Sequence, residues 1–236
     1  MSFDLETAGI LVSLFLGIGL ATGRLFTFNP KGALLLCLFL VVWFGVILLL
    51  SLNRVFTPAK HSPIPVGATV MLPLILGPIA ISRISKLRNF LLSIPQQSLI
   101  QIHLVRLIGM IFLLYYFQNK LPSIFASSAA LGDCLVAVLT PFLLWAIHRN
   151  TFYAPRFFLV FHCIGILDFA AAITLGTLSA DGPQRLIFQN VPSNLIASFP
   201  LVLIPTFGVP VIAVAHFVSL LKFKEAREKK EDSFFH

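Results

Sequence analysis

Charged residues are scarce in this sequence of 236 residues. They make up 11% of the chain, whereas hydrophobic residues make up 58% and the mean hydropathy is +0.95. A soluble domain carries about 25% charged residues. The composition therefore excludes an ordinary soluble protein and indicates a polytopic membrane protein whose first partner is the lipid bilayer. The net charge of +8 does not indicate binding to nucleic acid, because most of the bases fall in predicted loops on one side of the membrane.

Cysteine pairs and enzyme motifs are also lacking. Cys37, Cys134 and Cys163 all fall within predicted spans and form no CxxC spacing, so neither a disulfide framework nor a structural metal is indicated. The chain has no GxSxG, GxxxxGK[ST], GxGxxG or HExxH motif. Its last apolar run contains no lysine, which excludes a retinal Schiff base. We therefore predict no catalytic residue and no bound cofactor, and favour a function other than an enzyme.

Long apolar runs are what the sequence does have. Seven runs have about the 17–25 residues that cross ~30 Å of hydrocarbon. They cover approximately residues 7–24, 32–52, 64–82, 98–118, 123–147, 158–178 and 197–221. The predicted fold class is all-α, a bundle of seven transmembrane helices formed by residues 1–221. Residues 222–236 are a mixed-charge run and are expected to form a solvated cytoplasmic tail.

The distribution of basic residues predicts the orientation of these spans. The segment before the first span contains Asp4 and Glu6 but no lysine or arginine, and no signal-cleavage site follows it. If the N-terminus is outside, twelve of the 17 lysines and arginines lie in inner segments and four in outer ones. This asymmetry predicts an N-terminus outside and a C-terminus in the cytoplasm. The chain is thus expected to be a multi-pass protein of a bacterial inner (cytoplasmic) membrane.

The sequence of two connections between spans differs from that of a simple loop. Between Arg83 and Ile94, apolar residues recur at helical spacing among basic ones, which predicts a short interfacial helix on the cytoplasmic leaflet. It either binds a peripheral partner or simply lies at the interface. The outer connection, residues 179–197, is long for a link between neighbouring helices. It either caps an outward cavity or is an irregular loop, and the irregular loop is the simpler interpretation.

The seventeenth basic residue, Arg106, lies inside the fourth span. An arginine at mid-membrane costs ~2.5–3.5 kcal/mol on insertion scales, so it should face a partner or a water-filled cavity. At 1.5 Å per residue, Arg106 is ~12 Å from the cytoplasmic end of its span, Asp168 ~15 Å and Asp133 ~21 Å. Asp133 shares a stripe of small residues with Ala126, Ala130, Ala137 and Thr140. Small residues let a neighbouring helix approach closely, so we predict a buried cluster of Arg106, Asp133 and Asp168.

Three histidines form a second layer nearer the cytoplasm. His103, His162 and His216 each lie about four to six residues inside the fourth, sixth and seventh spans. They either converge on a haem or metal ion, since imidazole is the commonest such ligand, or each bonds a backbone carbonyl or headgroup. The second interpretation is favoured, because no ligand motif occurs. His103 also shares a helix face with Arg106 at i, i+3, which suggests that it connects the charge cluster to the cytoplasm.

Prolines interrupt two spans. Pro205 and Pro210 flank Gly208 in the seventh, and Pro73 and Pro78 lie in the third. Each proline removes a helical hydrogen bond, and the released carbonyls must find other partners. These positions are either packing kinks or a hinge or binding notch.

Three functions remain open. The best hypothesis is a small transporter or proton-linked permeation protein that uses Arg106, Asp133, Asp168 and His103, with Arg106 holding an anionic group of an unknown small-molecule or ion substrate. The second is a structural or accessory subunit that packs against other membrane subunits. The third is a haem or metal protein that uses the three histidines.

Overall fold

A computed structural model of the chain describes residues 5–57 and 64–228. The helical elements of this part are seven spans, one short helix and a 3-10 turn at Ser193–Ala197, and it contains no strand. The first three spans are α1 (Leu5–Phe28), α2 (Pro30–Leu52) and α3 (Ile64–Arg83), and the short helix is α4 (Ser85–Leu92). The fourth span, Gln96–Phe117, combines α5 (Gln96–Gln101), a 3-10 segment (Ile102–Gly109) and α6 (Met110–Phe117). The fifth and sixth are α7 (Ser123–His148) and α8 (Ala154–Ser179), and the seventh joins a π segment (Ile204–Gly208) to α9 (Val209–Glu228).

The all-α architecture and the seven membrane-spanning helices are therefore as predicted. Six spans agree with their predicted bounds to within about four residues. The seventh was predicted at residues 197–221 and is found at Ile204–Glu228, about two turns later. The first part of the predicted charged tail thus continues the helix, and residues 229–236 lie outside the described part.

Prolines explain the shift of the seventh span. Residues 198–203 form turns, and the span starts at Ile204, so Pro205 occupies its first turn. A proline there is tolerated because its missing N–H has no helical partner anyway. Pro205 has no N–H to donate to the carbonyl of Leu201. This carbonyl instead accepts the N–H of Ile204 at 3.0 Å. Val209 donates to the Ile204 carbonyl across the π turn, so the backbone regains its hydrogen bonds before α9 begins.

The fourth span is not a uniform α-helix. Its central eight residues, Ile102–Gly109, form the 3-10 segment. Such runs rarely exceed 3–4 residues, and a 3-10 stretch in mid-helix marks a hinge or local strain. Side chains three residues apart eclipse one another in this geometry. His103, Arg106 and Gly109 therefore stand in one row along the span.

The fourth and seventh spans form the centre of the bundle. More than half of the residues in the apolar part of each of these two spans are buried, whereas the other five spans are mostly exposed. α2 lies at the periphery, where Leu35, Leu38 and Phe39 are more than half exposed. Large apolar side chains on that surface face hydrocarbon in a membrane. The polar residues of the fourth and seventh spans are consequently enclosed by the rest of the protein.

The short helix predicted between Arg83 and Ile94 is present as α4. Leu91 and the nearby Ile94 are buried against the end of α9. Arg88 Nη2 pairs with Glu225 Oε1 at 2.5 Å, and Lys222 Nζ donates to the Ile94 carbonyl at 2.9 Å. α4 is thus clamped to α9 through Arg88, whereas its other basic residue, Lys86, is exposed.

Candidate functional site

Arg106 is the centre of a buried ion-pair cluster. Its side chain is 1% exposed. Nε donates to Asp133 Oδ1 of α7 at 2.7 Å, and Nη2 donates to Asp168 Oδ2 of α8. The 3-10 segment presents Arg106 between these two helices, whose stripes of small residues bring them close. The structure therefore brings together the three charged residues that the sequence predicts to meet.

Three further contacts fix the guanidinium plane. The Phe169 ring centroid lies 4.1 Å from Arg106 Cζ, which is close enough for a cation–π interaction. Arg106 Nη1 lies 3.5 Å from both the carbonyl oxygen of Gly165 and His216 Nε2. Every guanidinium nitrogen thus has a neighbouring acceptor, which is the usual requirement for a buried charge.

Glycines make the close approach of these helices possible. A Cβ atom on Gly109 would lie 2.5 Å from Asp133 Oδ2 and 2.6 Å from Asp133 Cβ. A Cβ on Gly132 would collide with the Asp168 carboxylate, and one on Gly165 would lie 2.5 Å from the His216 ring. Asp133, Asp168 and His216 therefore each rest against a glycine of a neighbouring helix, and a Cβ on Gly165 would also lie 3.2 Å from Arg106 Nη1. No larger residue fits at these three positions without movement.

The three histidines converge directly beside this cluster. His103, His162 and His216 are at most 1% exposed. One ring nitrogen from each lies within 4.8 Å of the other two. The ring centroids of His103 and His216 are 4.1 Å apart, and those of His162 and His216 are 4.8 Å apart. The three histidines, which the sequence places at similar depths in their spans, therefore also lie close together in the structure.

The hydrogen bonds around His216 determine the ring tautomers. A guanidinium can only donate, so His216 Nε2 accepts from Arg106 and the proton of the neutral ring sits on Nδ1. Nδ1 of His216 lies 2.6 Å from Nδ1 of His162, which must then accept. His162 therefore carries its proton on Nε2 and donates to Ser219 Oγ at 2.9 Å. Gln96 Nε2 also donates to Ser219 Oγ, at 2.5 Å, so one polar chain runs from Arg106 to Gln96.

His103 stands apart from that chain. Neither of its ring nitrogens has a hydrogen-bond partner among the described residues, although the ring is fully buried. The connection from Arg106 was predicted to pass through His103. The hydrogen-bonded chain from Arg106 instead runs through His216 and His162, and His103 packs beside it. A buried histidine without a partner needs an explanation, since an unsatisfied polar group costs about 1–3 kcal/mol.

A cavity reaches the two aspartates from the opposite end of the bundle. Its volume is about 350 Å³, and both Asp133 and Asp168 line it. Apolar side chains such as Phe112, Phe125 and Phe169 form most of the wall. Polar residues of the 180–197 connection line the mouth: Asp181, Gln184, Ser193 and Asn194. That connection thus borders an open cavity, and Arg106 stays behind the carboxylates.

The prolines of the predicted notch occupy different surroundings. Pro205 lines the cavity, whereas Pro210 is buried in the first turn of α9. Gly208 packs near Leu14 of α1. In α3, Pro73 faces a separate apolar groove, and the carbonyl of Pro78 accepts a hydrogen bond from Ser82 Oγ at 2.7 Å. Of these positions, Pro205 lies at the candidate site.

A family described as "Domain of unknown function (DUF8737)" matches residues 63–223, which is more than half of the chain. The chain belongs to this family. No curated protein and no solved structure matches it. The family region begins at the third span, so α1 and α2 lie outside it. The whole charge cluster, all three converging histidines and nearly all of the cavity wall belong to the family domain.

Sequence reasoning missed three parts of this family-domain site. Gln96 and Ser219, which extend the polar chain, are ordinary polar residues near the ends of spans. His216 and Ser219 are three residues apart on α9, and this shared face could have suggested a common partner. The 3-10 geometry that aligns His103 with Arg106 carries no signal in the sequence.

Proposed function

We propose that this membrane protein is a small proton-linked transporter whose exchange site is the Asp133–Asp168 pair at the floor of the cavity. The observation that supports this proposal is that both carboxylates line an open cavity while their arginine lies behind them. A cluster needed only for helix packing has no reason to meet an open space. Intramembrane carboxylates beside a cavity are typical of ion and proton pathways.

The charges of the cluster indicate what is exchanged. One guanidinium and two carboxylates carry a net charge of −1 when both acids are ionised. Such a charge is unfavourable in the membrane interior, so the empty site retains a proton and releases it when a cation enters. Two neighbouring carboxylates readily keep one proton between them, because ionisation of both would place two like charges side by side.

The cavity wall indicates the class of solute. Most of it is apolar, and its charged groups at the floor are acidic. Its volume of about 350 Å³ is within the ordinary range for small-molecule sites. These features fit a monovalent cation with an apolar body. They do not fit an anion held by Arg106, because that side chain already pairs with both acids, so this part of the sequence-based hypothesis is not retained.

The side of the membrane that the cavity faces follows from the distribution of basic residues. With the N-terminus outside, the cavity mouth at the 180–197 connection faces the exterior. The polar chain from Arg106 to Gln96 then leads towards the cytoplasm. Pro205, which lines the cavity at the start of the seventh span, is the natural place for a movement that closes it.

Uptake into proteoliposomes tests the proposal. Vesicles with an imposed pH gradient are mixed with radiolabelled tetraphenylphosphonium, a monovalent cation with an apolar body. The wild type is expected to give gradient-dependent uptake, and Asp133→Asn and Asp168→Asn are expected to abolish it. Glu225→Gln is the matched control, because this carboxylate also pairs with an arginine but lies at the α4 end, far from the cavity. Equal uptake by all four proteins would refute the proposal.

The alternative is an accessory subunit whose cluster only specifies packing. The complete pairing of Arg106 with both acids favours it, since buried ion pairs can fix helix register. In that case the aspartate variants alter stability or co-purification with a partner and leave cation movement unaffected.

A further inference from the structure

We propose that His103, His162 and His216 bind one divalent transition-metal ion of the zinc class inside the membrane domain. The proposal is independent of transport by the cavity. It rests on the convergence of three buried imidazoles from three different spans, with one nitrogen of each within 4.8 Å of the other two.

His103 is the strongest indication of a missing ligand. Its ring is completely buried, both nitrogens lack a hydrogen-bond partner among the described residues, and its centroid lies 4.1 Å from that of the tilted His216 ring. Leucine or phenylalanine would fill the same space without the cost of a buried polar group. A metal ion between the rings gives this imidazole a partner.

The donor set fits a tetrahedral site with one open position. Three histidines and a water or substrate molecule are a common zinc arrangement, with metal–nitrogen distances of about 2.0–2.1 Å. Nitrogens in such a site are about 3.4 Å apart. The Nδ1 atoms of His162 and His216, now 2.6 Å apart, therefore need to separate slightly, and the His103 ring needs to bring one nitrogen to the same distance from both. Imidazole also suits copper and nickel, and the rings are too close together for a porphyrin between them.

The surroundings of His162 are those of a metal ligand. Its Nε2–H donates to Ser219 Oγ, so its Nδ1 is unprotonated and its lone pair, which accepts from His216 Nδ1–H without the ion, is directed at His216. Metal-bound histidines usually donate their other N–H to a fixed acceptor. Gln96 holds that acceptor in place through its own hydrogen bond at 2.5 Å.

Arg106 does not repel the ion as strongly as its position suggests. Its guanidinium lies near His216, but its positive charge is outweighed by the two negative charges of Asp133 and Asp168. When the ion takes His216 Nδ1, the proton of that ring moves to Nε2, which then faces Arg106 Nη1 with an N–H and can no longer accept a hydrogen bond from it. Metal binding therefore loosens the link at 3.5 Å between His216 and Arg106.

Metal content and spectroscopy test this site. The full chain is purified in detergent with a tag that contains no histidine, stripped with a chelator and titrated with Zn²⁺ against a chromophoric chelator. We expect about one ion per chain and, with Co²⁺, the visible absorption of a four-coordinate site. His103→Leu is expected to weaken binding at least tenfold, since even loss of a supporting contact costs 10–100-fold.

The choice of variants keeps the result interpretable. His103→Leu removes two unpartnered nitrogens and should fold as well as the wild type, which a thermal melt verifies. The matched control replaces the three other histidines, His61, His148 and His236, and should still bind one ion. Absence of stoichiometric binding by the wild type, or equal binding by a folded His103→Leu protein, overturns the proposal.

Discussion

His216 Nε2 lies 3.5 Å from Arg106 Nη1, and this contact joins the charge cluster to the histidine cluster. On one side of it, two carboxylates meet an open cavity. On the other, His162, Ser219 and Gln96 continue a polar chain through the interior. The two features that the sequence presents as separate layers are thus one continuous polar unit at the centre of the bundle.

Arg106→Gln should be severely destabilising. The substitution leaves two buried carboxylates without a counter-charge, and breaking a buried ion pair in this way costs about 3–5 kcal/mol. We expect a large fall in the thermal unfolding temperature in detergent. Lys224→Gln is the control, because its pair with Glu228 is 3.7 Å long and well exposed and such surface pairs contribute about 0–1 kcal/mol. Similar unfolding temperatures for the two variants would contradict the buried cluster.

Gly109→Ala should disrupt the site although it adds a single methyl group. Its Cβ would lie 2.5 Å from Asp133 Oδ2, so the aspartate must move away from Arg106. In a helix alanine is otherwise preferred to glycine by about 0.5–1 kcal/mol. Gly45→Ala, with no atom within 4 Å of the new Cβ, should therefore be neutral or stabilising. Thermal melts measure both, and a stabilised Gly109→Ala protein would show that the helices are not in close contact there.

Cysteine labelling should reveal the cavity. In a protein whose three native cysteines are replaced by serine, Ala172→Cys lines the cavity and should react with a membrane-impermeant thiol reagent. Ala146→Cys is fully buried and should not react before unfolding. Applied from outside intact cells, the same reagent also tests the orientation. If Ala172→Cys is labelled only after the cells are opened, the cavity faces the cytoplasm and the predicted orientation is wrong.

Ser219→Ala should alter the histidine cluster more than the overall stability. His162 Nε2–H loses its acceptor and Gln96 loses its partner, and a lost supporting contact costs about 10–100-fold in metal affinity. The Zn²⁺ titration measures this effect. Ser82→Ala, whose hydroxyl bonds a backbone carbonyl on the exposed side of α3, should leave the affinity unchanged.

Much of this arrangement could be predicted because membrane physics restricts the possibilities. Run length and hydropathy locate the spans, and the cost of a lone arginine at mid-membrane requires partners at the same depth. Asp133 and Asp168 were the only acids inside predicted spans at that depth, so the cluster followed from the sequence.

The remaining details depend on how the helices pack against one another, which a single sequence does not show. Convergence of His103, His162 and His216 requires a particular rotation of three helices about their axes. The start of the seventh span at Ile204 depends on how residues 198–203 satisfy their backbone hydrogen bonds. The cavity results from helix separation near the 180–197 connection, where no periodic pattern exists.

The exchange of a proton for a cation at Asp133 and Asp168 is the central claim, and proton release measures it directly. Purified protein in weakly buffered detergent is mixed with tetraphenylphosphonium while a pH indicator is monitored. The wild type should release up to about one proton per chain as the cation binds, because the cluster carries a single excess negative charge. Asp168→Asn should release none. Cation binding by the wild type without proton release, or equal release by Asp168→Asn, would contradict the account.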